Sequence, residues 1–549
     1  MLRRVAHRIL GAAVAAAVLT SVAPARADVG DLTFAECLSQ NGSGGTCADL
    51  PGSSYDQPNG LAVGPTGTVY STGFASDSIY RFTPGSAEGL GFAQCVSGAG
   101  TPPCLPQGAP QIDGPVALAV SPDGRSLYSA NSAQSSFSHF PIAADGTLSF
   151  DACFSENGSA GACFDTPGSL FSAPSSVAVA PGGGSVYVTA LAGHSVNHFD
   201  ANAQGGLSFS DCHANLFMAN PCTGVIVPAF TGPTSVVVGS GGNSAGAIYA
   251  AGGNSDSVAH FSAGTGGDLE YVDCVSDNGS AGGCTNLPGS GSFDQPTDLA
   301  FSPDGNTLYA VTLAGNSIFR FSVGSGGTLS FAGCDSATGS GGACDTDRIA
   351  PMSALAVSAD GRSIYTTSGD FDEVGELSVG VGGDLTYRGC FSADGTAGAC
   401  TQLAVLQKPS DIQISPSGRS VYVSAFDSDA LVRFSREAPP ATDTTPPSIS
   451  VDRKGKAKAG RPIKLTASCD EACSLAASGT AKPRRGKRGR LRAARAQAAP
   501  GIAATLTLKA KGKLKRSLRK AGRGRASIDV LATDAAGNSA GVATTVKLR

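Results

Sequence analysis

Apolar residues along this chain alternate with polar ones in short runs, and the runs are separated by turns rich in Gly, Pro, Asp and Ser. A period of two predicts β-strands. One pattern recurs seven times. In the stretch from Leu148 to Tyr187 its skeleton is Leu-x-Phe, two cysteines ten residues apart, a proline, an apolar strand, a Gly turn and Ser-x-Tyr. Each unit carries four strand signals. The first precedes the leading cysteine (Leu90-Gly-Phe92) and the second follows the proline (Val177-Ala-Val179). The third centres on Tyr70, Tyr128, Tyr187, Tyr249, Tyr309, Tyr365 or Tyr422. The fourth ends at Phe82, Phe140, Phe199, Phe261, Phe321, Leu377 or Phe434.

A four-stranded antiparallel meander cannot bury both of its faces alone, but seven packed around an axis can. The ends of the repeat predict closure. The chain enters with an outer strand, Leu32-Thr-Phe34, and the seventh unit ends at Phe434 lacking one. The expected fold is all-β: a seven-bladed β-propeller over residues 28–436, closed by the N-terminal strand.

The sixteen cysteines follow the same repeat. Cys37, Cys95, Cys153, Cys212, Cys274, Cys334 and Cys390 each have a partner nine or ten residues on: Cys47, Cys104, Cys163, Cys222, Cys284, Cys344 and Cys400. Cys469 and Cys473 form an eighth pair. Two thiolates per loop leave zinc short of ligands, so disulfides in an oxidising compartment are expected. Residues 1–27 read as a signal peptide: Arg3, Arg4 and Arg8, an apolar Ile9 to Val22, and Ala25-Arg26-Ala27. The apolar run is short for a membrane span, so a secreted or envelope-associated, monomeric protein without a membrane anchor is expected.

Charge divides the chain. Residues 28–445 hold ten Lys and Arg against thirty-eight Asp and Glu, whereas 446–549 hold twenty-five basic and five acidic residues. Residues 437–447 form a Pro/Thr linker. Beyond it, alternating segments at 448–451, 463–468, 502–508, 526–532 and 542–548 predict a small β-sandwich, with a short basic helix in 511–521. The run Arg484, Arg485, Lys487, Arg488, Arg490 and Arg492 reads either as a solvated, disordered loop or as an anion-binding segment for an envelope polymer. No aromatic side chain interleaves it, so specific nucleic-acid binding has no support.

The runs Ser-Pro-Asp-Gly-Arg-Ser-Leu-Tyr (121–128), Ser-Pro-Asp-Gly-Asn-Thr-Leu-Tyr (302–309) and Ser-Pro-Ser-Gly-Arg-Ser-Val-Tyr-Val (415–423) resemble those of the seven-bladed lactonase-like propellers, relatives of YVTN-repeat proteins. The closing Ala532-Thr-Asp-Ala-Ala-Gly-Asn538 is similar to bacterial immunoglobulin-like domains. The first resemblance implies the propeller fold and a lactone hydrolase working in its channel with His, Glu and Arg side chains. No such set can be carried over. His139, His198 and His260 hold a position that other blades fill with Arg81, Arg320, Glu376 and Arg433, and no carboxylate partner is evident for them. His194 lies in a hairpin turn and His213 inside a cysteine loop. Arg348, expected near a channel mouth, and His194 are the remaining candidates, and neither is assigned a catalytic role. Asp77, Asp256, Asp429 and Glu373 read as turn caps rather than calcium ligands. No cofactor is expected, with a channel calcium as the open alternative. The sequence therefore points first to an exported binding scaffold with a basic tail for anionic envelope polymers, and second to a lactonase-like hydrolase.

Overall fold

The computed structural model describes residues 30–437 and 447–549, apart from 53–54, 86–87, 99–103, 107–111, 156–157, 159–161, 167–168, 216–221, 226–229, 280–282, 289–290, 381, 453–456, 471–472, 500–501 and 534–538. The export segment, most of the linker and the end of the 532–538 motif lie outside the described residues. The chain forms two compact units, residues 1–438 and 439–549.

The first unit is a ring of seven antiparallel sheets. Blades 1 to 5 begin at Pro58, Pro115, Pro174, Pro233 and Pro296, blade 6 at Ala354 and blade 7 at Pro409. Proline has no N–H to donate, which suits the first residue of an innermost strand. Blade 3 shows the pattern: Pro174–Val179, Ser185–Ala190, Ser195–Ala201 and Leu207–Asn215 run outward in order. Blade 7 is composite. Its outer strand is Leu32–Ser39, paired antiparallel with Ala430–Arg436 from the end of the unit.

Each blade has five strands rather than four. The fifth is a two- or three-residue hook that pairs in parallel with the outer strand, as in Leu38↔Ala48 and Ser39↔Asp49. Its cause is the disulfide. Cys37–Cys47 holds the two chain segments 4.7 Å apart at Cα, so the residues just beyond each cysteine fall into ladder register. All sixteen cysteines are bonded, seven bridges in the blades and an eighth, Cys469–Cys473, in the second unit.

The core lies between blades. One cluster joins Tyr70, Ile79 and Val96 of blade 1 to Leu127, Phe140 and Leu148 of blade 2. Another joins Tyr365 and Val374 of blade 6 to Ile412, Val421 and Phe434 of blade 7. Polar ties cross the same interfaces. Tyr128 Oη donates to Gly205 O of blade 3 (3.0 Å), and Tyr187 Oη donates to Gly267 O of blade 4 (2.6 Å). Gly205 has φ +81°, and a Cβ there would meet Ser126 Oγ at 1.8 Å, so the acceptor must be glycine. Tyr365 makes the same bond to Gly30, at the closing strand.

The second unit has two sheets. One orders Ile449–Asp452, Ile463–Cys469 and Ala504–Leu508; the other contains Gly489–Arg490, Cys473–Pro483, Gly524–Thr533 and Ser539–Leu548, with Ala494–Ala498 also on Cys473–Pro483. The helix Gly512–Ala521 buries Leu518 in the shared core. Strand Cys473–Pro483 runs directly into the basic stretch. Residues 484–488 are therefore an exposed turn between strands rather than an unstructured loop.

Closure of the ring yields a prediction. Deleting residues 30–39 removes the whole ladder against Ala430–Arg436 and opens the seventh blade. The single cooperative thermal transition of the propeller should then be lost. The Cys37→Ala/Cys47→Ala pair keeps the ladder and should cost roughly 2–3 kcal/mol in urea unfolding, from a ten-residue loop alone.

Candidate functional site

Every histidine of the propeller is held in a structural tie. His139 Nδ1 lies 2.9 Å from Asp151 Oδ2, while His198 and His260 lie 3.0 Å from Asp211 and Asp273. The carboxylate partners that the sequence did not reveal thus exist. Asp211 and Asp273 come from the outer strand and Asp151 from the position just before it, twelve or thirteen residues on, where the antiparallel register brings them opposite the third strand. The rings are buried and stack on Tyr128, Tyr187 and Tyr249. Burial, acting against the pull of Asp151, holds His139 below the usual histidine range. The same carboxylates reach onward: Asp211 Oδ2 accepts Leu269 N–H of blade 4 at 3.0 Å. Glu36 does likewise, bonding Arg433 Nε at 2.7 Å and Leu90 N–H at 2.9 Å. His213 Nε2 meets Leu269 O at 2.7 Å.

His194 sits in the turn between the second and third strands of blade 3 with φ +48°. Its Nδ1 accepts Gly232 N–H of blade 4 at 2.8 Å. Equivalent turns use Asp77 for Gly114, Ser135 for Ala173, Asp256 for Gln295, Asp372 for Lys408 and Asp429 for Gln57, at 2.8–3.1 Å. Asn316 holds the matching turn of blade 5, yet its buried Oδ1 has no partner among the described residues. His194 is therefore one of a ring of clasps. In blade 6 the clasp is Asp372 rather than Glu373, and each aspartate faces a backbone N–H of the next blade.

Arg348 is displaced from its expected place. It lies beside the third and fourth strands of blade 6, away from the channel. Its Nη2 bonds Glu373 Oε2 at 3.1 Å, its Nη1 bonds Tyr387 Oη, and its guanidinium lies over the Tyr387 ring. Glu373 is 5% exposed and Arg348 37%. The loop leaving blade 5 crosses the blade interface at its periphery, which is why a residue between two repeats lands there. Among the described residues two groups gather metal-type donors: Glu373 with Cys390 and Cys400, and His198 with Asp211 and Asp268. In the first the sulfurs are a disulfide. In the second, Nδ1 already faces Asp211.

The axial cavity encloses about 390 Å³. Its walls come from the innermost strands, and the third position of each strand defines its polarity. That position is Gly60, Ala117, Ser176, Ser235, Asp298 and Asp411 in blades 1 to 5 and 7, and by ladder register it is Ala354, the first strand residue, in blade 6. The seven blades thus offer two aspartates among small residues, and in blade 1 a Cβ on Gly60 would strike Val116 O at 2.5 Å. Asp298 Oδ1 accepts Ser235 Oγ–H (2.9 Å) and Leu299 N–H (2.8 Å), and Oδ2 accepts Leu355 N–H of blade 6 (3.0 Å). Asp411 Oδ2 accepts Leu61 N–H of blade 1 (2.6 Å) and Oδ1 accepts Ile412 N–H (2.7 Å). Burial pushes Asp298 up to about 6 and Asp411 up to about 7, with the charge of Asp298 adding to the second. Among the described residues no Lys, Arg or His lines the cavity. A calcium ion would need six to eight oxygens, and the carboxylates present are already bonded to N–H groups. A larger cavity of about 550 Å³ opens between blades 2 and 3, where Asp123 is tied to Ser121 Oγ at 2.6 Å.

Arg484, Arg485, Lys487, Arg488, Arg490 and Arg492 are all exposed in the second unit. Among the described residues no helix is long and apolar enough to cross a membrane.

The model of the family described as lactonase, seven-bladed β-propeller, matches residues 105–342. Among solved structures, virginiamycin B lyase from Staphylococcus aureus matches at 13% identity over 74% of this chain and 99% of its own, with a TM-score of 0.45. The periplasmic gluconolactonase of Pseudomonas aeruginosa matches at 17% identity over 79% and 94%, with a TM-score of 0.43. No curated protein sequence matches the chain.

Two predictions follow from these ties. Arg348→Ala strands the buried Glu373 carboxylate. The expected cost is on the order of 2 kcal/mol in urea unfolding, below that of a fully buried pair because Arg348 is partly solvated. Adding Glu373→Gln should recover part of the loss. The second concerns pH. Asp298 and Asp411, with Glu376 also raised to about 7, bind protons more tightly folded than unfolded. The stability that these three groups contribute should therefore be present at low pH and be lost as pH rises from about 4 through about 7. Asp411→Asn should shrink the difference in urea midpoint between pH 5 and pH 8, and an unchanged difference would contradict the assignment.

Proposed function

We propose, starting from a lactonase-like seven-bladed propeller joined to a basic β unit, that this protein is an exported binding scaffold at or outside the cell surface. The basic unit attaches it to anionic polymers of the envelope, and the propeller presents its loops to partners. One observation carries the reading: each histidine of the propeller is committed to a tie within or between blades. The undescribed interior stretches of the propeller add no candidates, because their sequences contain no His, Lys or Arg. The eight disulfides fit an oxidising compartment. The opposite charges of the two units supply the polarity for attachment through one unit and presentation by the other.

The carboxylate pair in the axial cavity favours a second reading, a lactone hydrolase. Asp298 and Asp411 titrate where a general acid or base is useful. Opening a lactone also builds negative charge on the carbonyl oxygen, which needs donors aimed at it. The N–H and O–H groups around the two carboxylates already point at them, and among the described residues no cation lines the cavity. The scaffold reading is therefore preferred.

Attachment is tested by fractionating cells that produce the full chain or a chain ended after residue 437. The full chain should remain with the envelope fraction and be released by salt, while the shortened chain should appear in the medium. Equal retention of both would remove the role assigned to the basic unit.

A further inference from the structure

The ladders of the second unit bring together cations that lie far apart in sequence. Lys482 stands opposite Arg525, and Arg525 opposite Lys547. Two residues along the same face, Arg484 N–H donates to Arg523 O at 2.9 Å. In the other direction Thr480 stands opposite both Arg490 and Ser527, and Ser527 opposite Thr545. The alternate residues Ala481, Ala526 and Val546 are buried in the core, so the face that carries the cations is fixed. All six basic side chains are exposed.

Neighbouring strands lie ~4.8 Å apart, and same-face residues about 6.8 Å apart along a strand. The six cations therefore form a compact grid with a row of hydroxyls through it. Like charges set directly opposite one another destabilise a sheet. Among the described residues no carboxylate forms an ion pair with any of the six, and the nearest acid on this face is Asp529, opposite Ser478 and Ala543. An arrangement that repels itself when bare is complementary to a linear polyanion. No aromatic residue lies in these rows, so nucleic-acid bases have nothing to stack on. The exposed Leu531 lies beyond Asp529, so no apolar side chain stands among the cations to enter a bilayer.

We infer that this sheet face binds an acidic polysaccharide: the cations take its anionic groups, and Thr480, Ser527 and Thr545 take its hydroxyls. The inference rests on the attachment proposed above. It moves the contact from the 484–492 segment alone to a surface assembled by strand register, and it names the class of polymer.

The test measures binding of the full chain to polygalacturonate across a salt series. Lys482→Ser/Arg525→Ser/Lys547→Ser should weaken binding about tenfold or more and flatten its salt dependence. Lys513→Ser/Lys515→Ser/Arg516→Ser removes the same charge from the exposed side of the helix and should change binding less than about twofold. Equal losses in the two triple variants would mean attraction by net charge alone and overturn the inference. Equally tight binding to single-stranded DNA or to anionic vesicles, lost in the same variant, would reassign the face to those polymers. A change in small-angle scattering of the polymer-free chain on making the sheet variant would assign the face to the acidic propeller. If the unaltered chain binds no polyanion, the attachment reading itself fails; if it binds but the sheet variant binds equally well, only the inference does.

Discussion

Many of the backbone N–H groups near the start of the blades find no acceptor in their own sheet, and the packing of the ring depends on how they are satisfied. A buried N–H left without an acceptor costs about as much as a lost hydrogen bond. The acceptor comes from the preceding blade: a turn side chain near one end of the strands, as with His194 for Gly232, and a carboxylate in the axial cavity, as with Asp411 for Leu61. Further out, Asp211 and Glu36 do the same for Leu269 and Leu90. Each blade is thus completed by its neighbour, and the seventh by the strand that starts the described chain.

This explains why polar residues are so numerous at blade interfaces. A histidine between a tyrosine ring and a carboxylate resembles half of a catalytic arrangement. When it recurs in blades 2, 3 and 4, and arginine or glutamate replaces it elsewhere, its role is to fill an interface with a hydrogen-bonding group. Arg348 follows the same logic. It breaks the repeat in sequence because it spans a blade junction, where Glu373 needs a counter-charge.

The repeat made the ring legible, since its period, its turn residues and the split seventh unit are all visible in one dimension. The two- to three-residue hooks were not, because a ladder that short carries no pattern of its own and exists only where a disulfide holds it. Strand Cys473–Pro483 was also hidden: its alanines, serines and glycine give little contrast between faces. The histidine–aspartate pairs became visible only once the outer strand was aligned against the third. Asp298 and Asp411 did leave a signal, two carboxylates at a position that the other blades fill with Gly, Ala or Ser. That signal requires knowing which repeat position faces the axis. The cationic face of the second unit could not be read at all, because Lys482, Arg525 and Lys547 meet only through register.

The scaffold proposal has the propeller's ionisable groups hold blades together rather than perform chemistry. Its most direct test is pH-stat titration of the purified full chain against a panel of γ- and δ-lactones, with and without chelator, beside the Asp298→Asn/Asp411→Asn variant. The account predicts acid release at the uncatalysed rate for every lactone in both proteins. Turnover by the unaltered chain that the double substitution abolishes, in a variant that still unfolds cooperatively, would contradict it and place a hydrolase in the axial cavity.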